Sequence, residues 1–199
     1  MPKLIDHAER DRLIARAAWV VLLRDGLPGF SVRNIAAEAD LATASLRRRF
    51  PSQDALRVYC LRLIGERVQA RLDSVDREPA ERDPVSYVVA CLEQLLPLDA
   101  DRRAEMDVFL MLASLAATDD AIRLAYDDAH SAIALACRSL LALTATVGDE
   151  ASVTASALRL HALLDGLALH LLRQPASAET SWATDILRRE VEHAAAPRG

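Results

Sequence analysis

Three consecutive arginines, Arg47, Arg48 and Arg49, follow Thr43, Ala44 and Ser45 with only Leu46 between. Guanidinium groups grip phosphate or guanine bidentately, and small residues beside them let a helix end approach base edges closely. At about 100° per residue, a short helix from Ala42 to Phe50 turns Leu46 and Phe50 inward, with Ala42 and Thr43 on either side. Ala44 and Arg48 lie opposite, flanked by Ser45 and Arg47. Arg49 falls nearer the buried border and is long enough to reach outward. The plain alternative is a solvated charged face. A short exposed helix gains little stability from three arginines, however, and a second short helix precedes it across a tight turn, the arrangement of a helix-turn-helix.

The remaining reactive side chains point to no catalytic apparatus. There is no phosphate-cradling glycine loop, no nucleophile with a base at workable spacing and no Glu-x-x-His pair for a two-metal centre. An enzyme is therefore not expected. His161, Asp165 and His170 share one stretch of chain, but the first two are an i,i+4 pair that packing or hydrogen bonding accounts for. No Cys/His cluster completes a first shell, so neither metal nor cofactor is expected. Cys60, Cys91 and Cys137 are separated singles without a CxxC pair and read as small core hydrophobes in a reducing compartment.

The elements that must position the arginines follow from periodicity and breakers. Leu13, Ile14, Ala17, Ala18, Val21 and Leu22 recur at three- and four-residue spacing, which gives an amphipathic helix from about Asp6 to Arg24. Gly26, Pro28 and Gly29 end it. Ser31 can cap a short second helix that turns Val32, Ile35 and Ala36 inward. Pro51 closes the arginine helix, and Ser52 can cap a long fourth one reaching about Val75. A charged segment with Pro79 and Pro84 reads as a loop. Further helices are expected near Val85–Leu96, Ala100–Ala117, Asp119–Ala145, Asp149–Arg173 and Ala178–Ala194, with Gly148 and Pro175 as breaks. The fold class is all-α, about nine helices, divided into residues 1–52 and 53–199.

Composition agrees. Of 199 residues, 52% are hydrophobic, 27% charged and only 4% aromatic, which favours helix over strand and argues against disorder. No run of 18–20 uncharged apolar residues is present and the first residues lack an apolar signal core, so a cytoplasmic protein without a membrane partner is expected. The net charge of −5 is unevenly spread. Residues 1–50 hold nine basic and six acidic side chains, a net of +3, which leaves −8 for the rest. A basic head on an acidic body suits one end that meets phosphate.

The run from Asp11 to Leu56, DRLIARAAWVVLLRDGLPGFSVRNIAAEADLATASLRRRFPSQDAL, resembles the DNA-binding domain of the TetR family of repressors. The matching features are Ala17-Ala18, Gly26, Gly29-Phe30-Ser31-Val32, Ile35-Ala36, Ala39, Leu46, Phe50 and the Ser52 to Leu56 stretch. The resemblance implies a DNA-binding transcription regulator, a ligand-responsive repressor acting as a homodimer on double-stranded, palindromic operator DNA. It puts Arg33, Thr43, Ser45, Arg47 and Arg48 at DNA-contacting positions, and Ser31, Ala44 and Arg49 beside them complete the candidate DNA-binding set. The chain departs from the family by carrying Asp40 in place of the turn's usual glycine, Ala42 in place of Ser or Thr, Arg47 in place of a tyrosine and Gln53 in place of a lysine. Those departures shift the contact set toward arginine and leave open a protein-interaction module of the same fold without DNA binding.

The second half resembles the family through RLHALLDGLALHLL (Arg159 to Leu172), a proline break and an amphipathic last helix, which look like a dimer-forming pair. Leucines spread over several faces there, so Leu160, Leu164, Leu167 and Leu171, with Trp182 and Ile186, are the candidate dimer interface. The alternative is a helical body that buries them by itself. Tyr87, Cys91, Met106, Phe109, Met111, Tyr126 and His130 are candidates to line a small-molecule effector site. Few aromatics and few charges expected in the interior suggest an apolar or amphipathic effector.

Overall fold

The computed structural model describes residues 7–144 and 150–196, which form nine α-helices and two 3₁₀ turns, with no strand among the described residues. Helix α1 (His7–Gly29) buries Ile14, Ala17, Ala18, Val21 and Leu22 of the stripe its spacing predicts, with Ala15 beside them, whereas Leu13 is exposed. Its expected first residue, Asp6, lies outside the described residues. At the other end Gly26, at φ 65°, kinks the chain, and a last turn continues to Gly29. A Cβ on Gly29 would stand 2.2 Å from the Asp25 Cβ, so only glycine fits where this turn folds back.

Helix α2 (Val32–Glu38) begins at Ser31, whose hydroxyl accepts the Asn34 N–H at 3.1 Å. Asn34 in turn donates to the Gly29 carbonyl at 2.9 Å. The turn to α3 (Thr43–Arg49) passes through Asp40 at φ 52°, the left-handed region where the family's glycine would sit without strain. Ala42, at the α3 N-cap, offers no side-chain oxygen to the helix. Helix α4 (Gln53–Asp73) is capped by Ser52, which accepts the Ala55 N–H at 3.0 Å. Gln53 donates to the Phe30 carbonyl, tying the start of α4 to the turn before α2.

The loop expected after α4 contains a 3₁₀ turn at Glu78–Glu81. Helix α5 (Pro84–Glu93) starts on the Asp83 carboxylate, and α6 (Ala100–Ala113) tightens into a 3₁₀ turn at Ser114–Ala117. Helix α7 (Asp120–Ala142) is capped by Asp119, which accepts two backbone N–H groups. Helices α8 (Glu150–Arg173) and α9 (Ser181–Ala195) complete the chain. The expected end of α7 at Ala145, the break at Gly148 and the expected start of α8 at Asp149 lie outside the described residues.

The chain divides into two compact units. The first holds the residues up to Glu66 together with Asp107–Asp127. Its core contains Ile14, Leu22, Phe30, Ile35, Leu46 and Leu56, all essentially without solvent contact. The second holds Arg67–Met106 and the residues from Asp128 onward, around Val88, Leu92, Leu96, Cys137, Leu160, Leu164, Leu171 and Leu187. The division cuts α4, α6 and α7 within their length.

Two findings bear on the sequence expectations. Leu160, Leu164, Leu167 and Leu171, the candidate interface leucines, are buried in the core of the second unit, and Trp182 also packs on this core. Each contributes roughly 1.5–3 kcal/mol by leaving water. The large apolar side chains that α8 and α9 expose among the described residues are Leu158, Leu169 and Ile186. The interior also holds a charge the sequence did not betray. Glu105 is only 3% exposed and is gripped by Arg67 and Arg71, each at 2.8 Å. Nearby, Arg103 donates to the carbonyls of Leu171 and Gln174, satisfying the C-terminal end of α8. Residues Ser152–Arg173 are long and apolar enough on average to match a membrane span, with mean hydropathy 1.2, but Arg159 and Asp165 interrupt them and their leucines fill the core.

Candidate nucleic-acid interface

Helix α3 has seven residues, too few to persist alone in water, so its orientation must come from what it touches. Leu46 is fully buried and Phe50, just past the helix end, is 4% exposed, so both anchor one face. Phe50 also meets Tyr59 of α4, with ring centroids 5.1 Å apart. The opposite face carries Ala44, Arg47 and Arg48, all exposed, with Thr43 and Ser45 half-buried at its flanks. Arg33, on α2, is exposed as well, whereas Ser31 is half-buried and committed to capping α2.

The three arginines divide. Arg49 donates to both carboxylate oxygens of Asp11 on α1, its Nε standing 2.8 Å from Oδ1. Hydrogen bonding to Asp11 first, then its charge, raises the Arg49 pKa further above its already high ordinary value. Arg49 therefore fastens α3 to α1. Arg33, Arg47 and Arg48 form no ion pair among the described residues and keep all their donors for an external anion. Arg10 of α1 donates to the Ser45 hydroxyl, which brings a further guanidinium to the helix start and leaves that hydroxyl's own proton available. Arg24, by contrast, is consumed by Asp25 and Glu38.

Sequence reasoning missed Arg10 and Asp11. They lie 35 and 38 residues from their partners, so no local spacing could reveal the pairings. Arg57 stacks over the Phe30 ring at 5.7 Å and helps hold the chain between α1 and α2.

The candidate effector residues divide between the two units. In the first unit, Phe109 and Tyr126 stack with centroids 5.6 Å apart. Met111 lines an open cleft of about 530 Å³ with Leu23, Leu27, Asp107, Leu110 and Ser114. In the second unit, Tyr87 and Met106 pack on the core, and Cys91 is buried. The neighbouring Cys91 thiol first, and then burial, raise the Tyr87 pKa. His130 sits against His161, ring centroids 5.2 Å apart. The three cysteines are free and buried, and burial pushes the Cys60 thiol up to about 12, which leaves it unreactive.

Comparison with known proteins adds to this geometry. Residues 14–60 match the family described as bacterial regulatory proteins, tetR family, and residues 84–196 match the BetI-type transcriptional repressor C-terminal family. The HTH-type transcriptional regulator PksA of Bacillus subtilis (strain 168) is 33% identical over 197 residues, covering 96% of this chain and 93% of that protein. A transcriptional regulator from Rhodococcus sp. Rha1 superposes with a TM-score of 0.79 at 27% identity, over 92% of this chain and 94% of the other. The multidrug binding protein EbrR, solved with malachite green, matches with a TM-score of 0.68 at 25% identity, over 92% and 98% of the two chains.

Proposed function

This chain belongs to the TetR family of bacterial regulatory proteins and is a DNA-binding transcription regulator, and from that premise we propose a homodimeric, effector-responsive repressor that reads a palindromic operator with α2 and α3. The observation that carries the reading is the division among the arginines. One is spent on holding α3, while Arg47, Arg48 and Arg33 stand exposed and unpaired beside small residues at the helix start. Arg48 and Arg47 suit bases and adjoining phosphates, Thr43 and Ser45 suit phosphate oxygens, and Ala44 permits close approach. Residues 1–52 act as the reading head, and 53–199 supply the pairing body and most of the sensing elements. The family is regulatory rather than enzymatic, and the protein works in the cytoplasm, where its DNA is.

A single head with a net charge of +3 is too weak for selective binding at physiological salt. Linking two heads makes the second contact intramolecular and multiplies affinity by roughly 10²–10⁴. Leu158, Ala162 and Leu169 form an exposed stripe along α8 at intervals of four and seven residues, with Asp165 between them, and Ile186 is exposed on α9. We assign the dimer seam to that stripe. Two-fold pairing sets half-sites about 34–36 Å apart or a multiple of it.

The cleft beside Met111 is the effector site we favour. Leu23, Leu27, Leu110 and Met111 give it apolar walls, and Asp107 and Ser114 supply polar contacts, which suits an amphipathic molecule. EbrR's complex with malachite green supports that class of ligand. Leu23 and Leu27 flank the Gly26 kink that leads into α2, so an occupant bears on the segment that aims the reading head.

A gel shift with DNA from beside the protein's own gene, alongside analytical ultracentrifugation, tests the proposal. Specific retardation with a dissociation constant on the order of 10⁻⁸ M or tighter is expected, and a wild-type dimer that Leu158→Glu with Leu169→Glu converts to a folded monomer. A folded dimer that retards no such DNA would instead favour the interaction-module reading.

A further inference from the structure

We propose that His130, His161 and Asp165 form a binding site for one divalent transition-metal ion. On sequence alone His161 and Asp165 are an i,i+4 pair that needs no ion. The fold adds a third ligand, because α7 carries His130 to the same place, and one nitrogen of each imidazole and one carboxylate oxygen all lie within 4.8 Å of one another.

The His161 Nε2 is buried and has no hydrogen-bond partner. Its nearest acidic oxygen, Asp165 Oδ2, is 4.0 Å away, too far for a hydrogen bond. A buried imidazole nitrogen is costly to leave unsatisfied, and an ion placed between the two groups would satisfy both. Two ligand atoms on a tetrahedral ion with bonds of about 2.0–2.1 Å stand about 3.3 Å apart. Small side-chain rotations bring the observed separations to that value, and each ligand sits on a helix, so the backbone need not move.

Ligand chemistry selects the ion. Two imidazoles and a carboxylate suit Zn²⁺, Co²⁺ or Ni²⁺, whereas Mg²⁺ and Ca²⁺ require mostly oxygen ligands. Three protein ligands leave a tetrahedral ion one position, open to water or to a donor atom of a small molecule. His170, nine residues beyond His161, projects from the opposite face of α8 and is not in the cluster.

The test is Zn²⁺ titration of the untagged full chain by calorimetry, together with the visible spectrum of the Co²⁺ form. One Zn²⁺ per chain at micromolar affinity or tighter is expected, with a Co²⁺ spectrum characteristic of low coordination number and no comparable uptake of Mg²⁺. Asp165→Asn, isosteric and half-exposed, and His130→Ala, checked for folding by circular dichroism, should each weaken Zn²⁺ binding about tenfold or more. His170→Ala should leave binding unchanged. Failure of the wild-type chain to bind Zn²⁺ stoichiometrically overturns the proposal, as does equal binding by wild type and Asp165→Asn.

Discussion

Helices α3 and α8 divide their side chains in opposite ways. Helix α3 buries one of its seven residues and leaves its arginines outside, whereas α8 buries a row of leucines and fills a core. The short helix is positioned by borrowed contacts, from Asp11 of α1 through Arg49 and from Phe50 against Tyr59. The long one helps to make the environment that holds it. A substitution on α3 should therefore act mainly on recognition or on docking, while one on α8 should act on stability or on association according to which face it strikes.

The sharpest contrast lies within α8. Leu164→Ala should cost about 2–5 kcal/mol of unfolding free energy, because it opens a cavity in a packed core. Leu158→Ala, at a residue 63% exposed, should change the stability of the subunit by no more than about 0.5 kcal/mol. Denaturant melts of the two variants, each made in the Leu169→Glu background to weaken the seam, make the comparison. Similar losses at both positions would erase the distinction between core and seam.

Next in size is the contrast inside the arginine run. Arg48→Ala should cost roughly 1–3 kcal/mol of operator affinity and relax preference at one base pair, with stability unchanged. Arg49→Ala should cost about 1–2 kcal/mol of stability, because it leaves the Asp11 carboxylate, only 11% exposed, without its partner. Binding isotherms on operator and mismatched DNA, paired with thermal melts, separate the two. An Arg49→Ala protein of wild-type stability that binds all DNA equally weakly would mean that Arg49 works on phosphate instead.

The smallest effects concern the departures in the turn. Ala42→Asp supplies the missing α3 cap and should stabilise the head by about 0.5–1 kcal/mol. Asp40→Gly relieves the left-handed backbone at φ 52° but frees the unfolded chain, so it should gain only a few tenths of a kcal/mol. Melting temperatures of the two variants should rise in that order, and a fall with Ala42→Asp would show that the α3 start prefers to be uncapped.

Local pattern was sufficient for much of this protein. Helical spacing, Gly26, Pro51, Pro79, Pro84 and Pro175, and caps such as Ser31, Ser52 and Asp119 are signals carried by neighbouring residues, and the helices appear where those signals place them. The resemblance over Asp11–Leu56 rests on the same kind of information, which is why the reading helix was legible with its outward face. Some boundaries moved by a few residues, as at Gly29, because a left-handed glycine redirected the chain and a further helical turn followed.

What the sequence left open needed partners distant along the chain. The phase of α3 puts Arg49 near the buried border, but only the position of α1 shows that Asp11 holds it. Apolar residues around most of α8 announce that several faces need cover, yet the pattern cannot say whether the cover comes from α5 and α9 or from a second subunit. Packing within the chain assigned Leu160, Leu164, Leu167 and Leu171 to the interior and left Leu158 and Leu169 outside. In the same way Glu105 looks like any surface acid until Arg67 and Arg71 are folded around it, and His161 acquires His130 only when α7 lies beside α8. Helical periodicity determines which side chains share a face, and tertiary packing decides what that face meets.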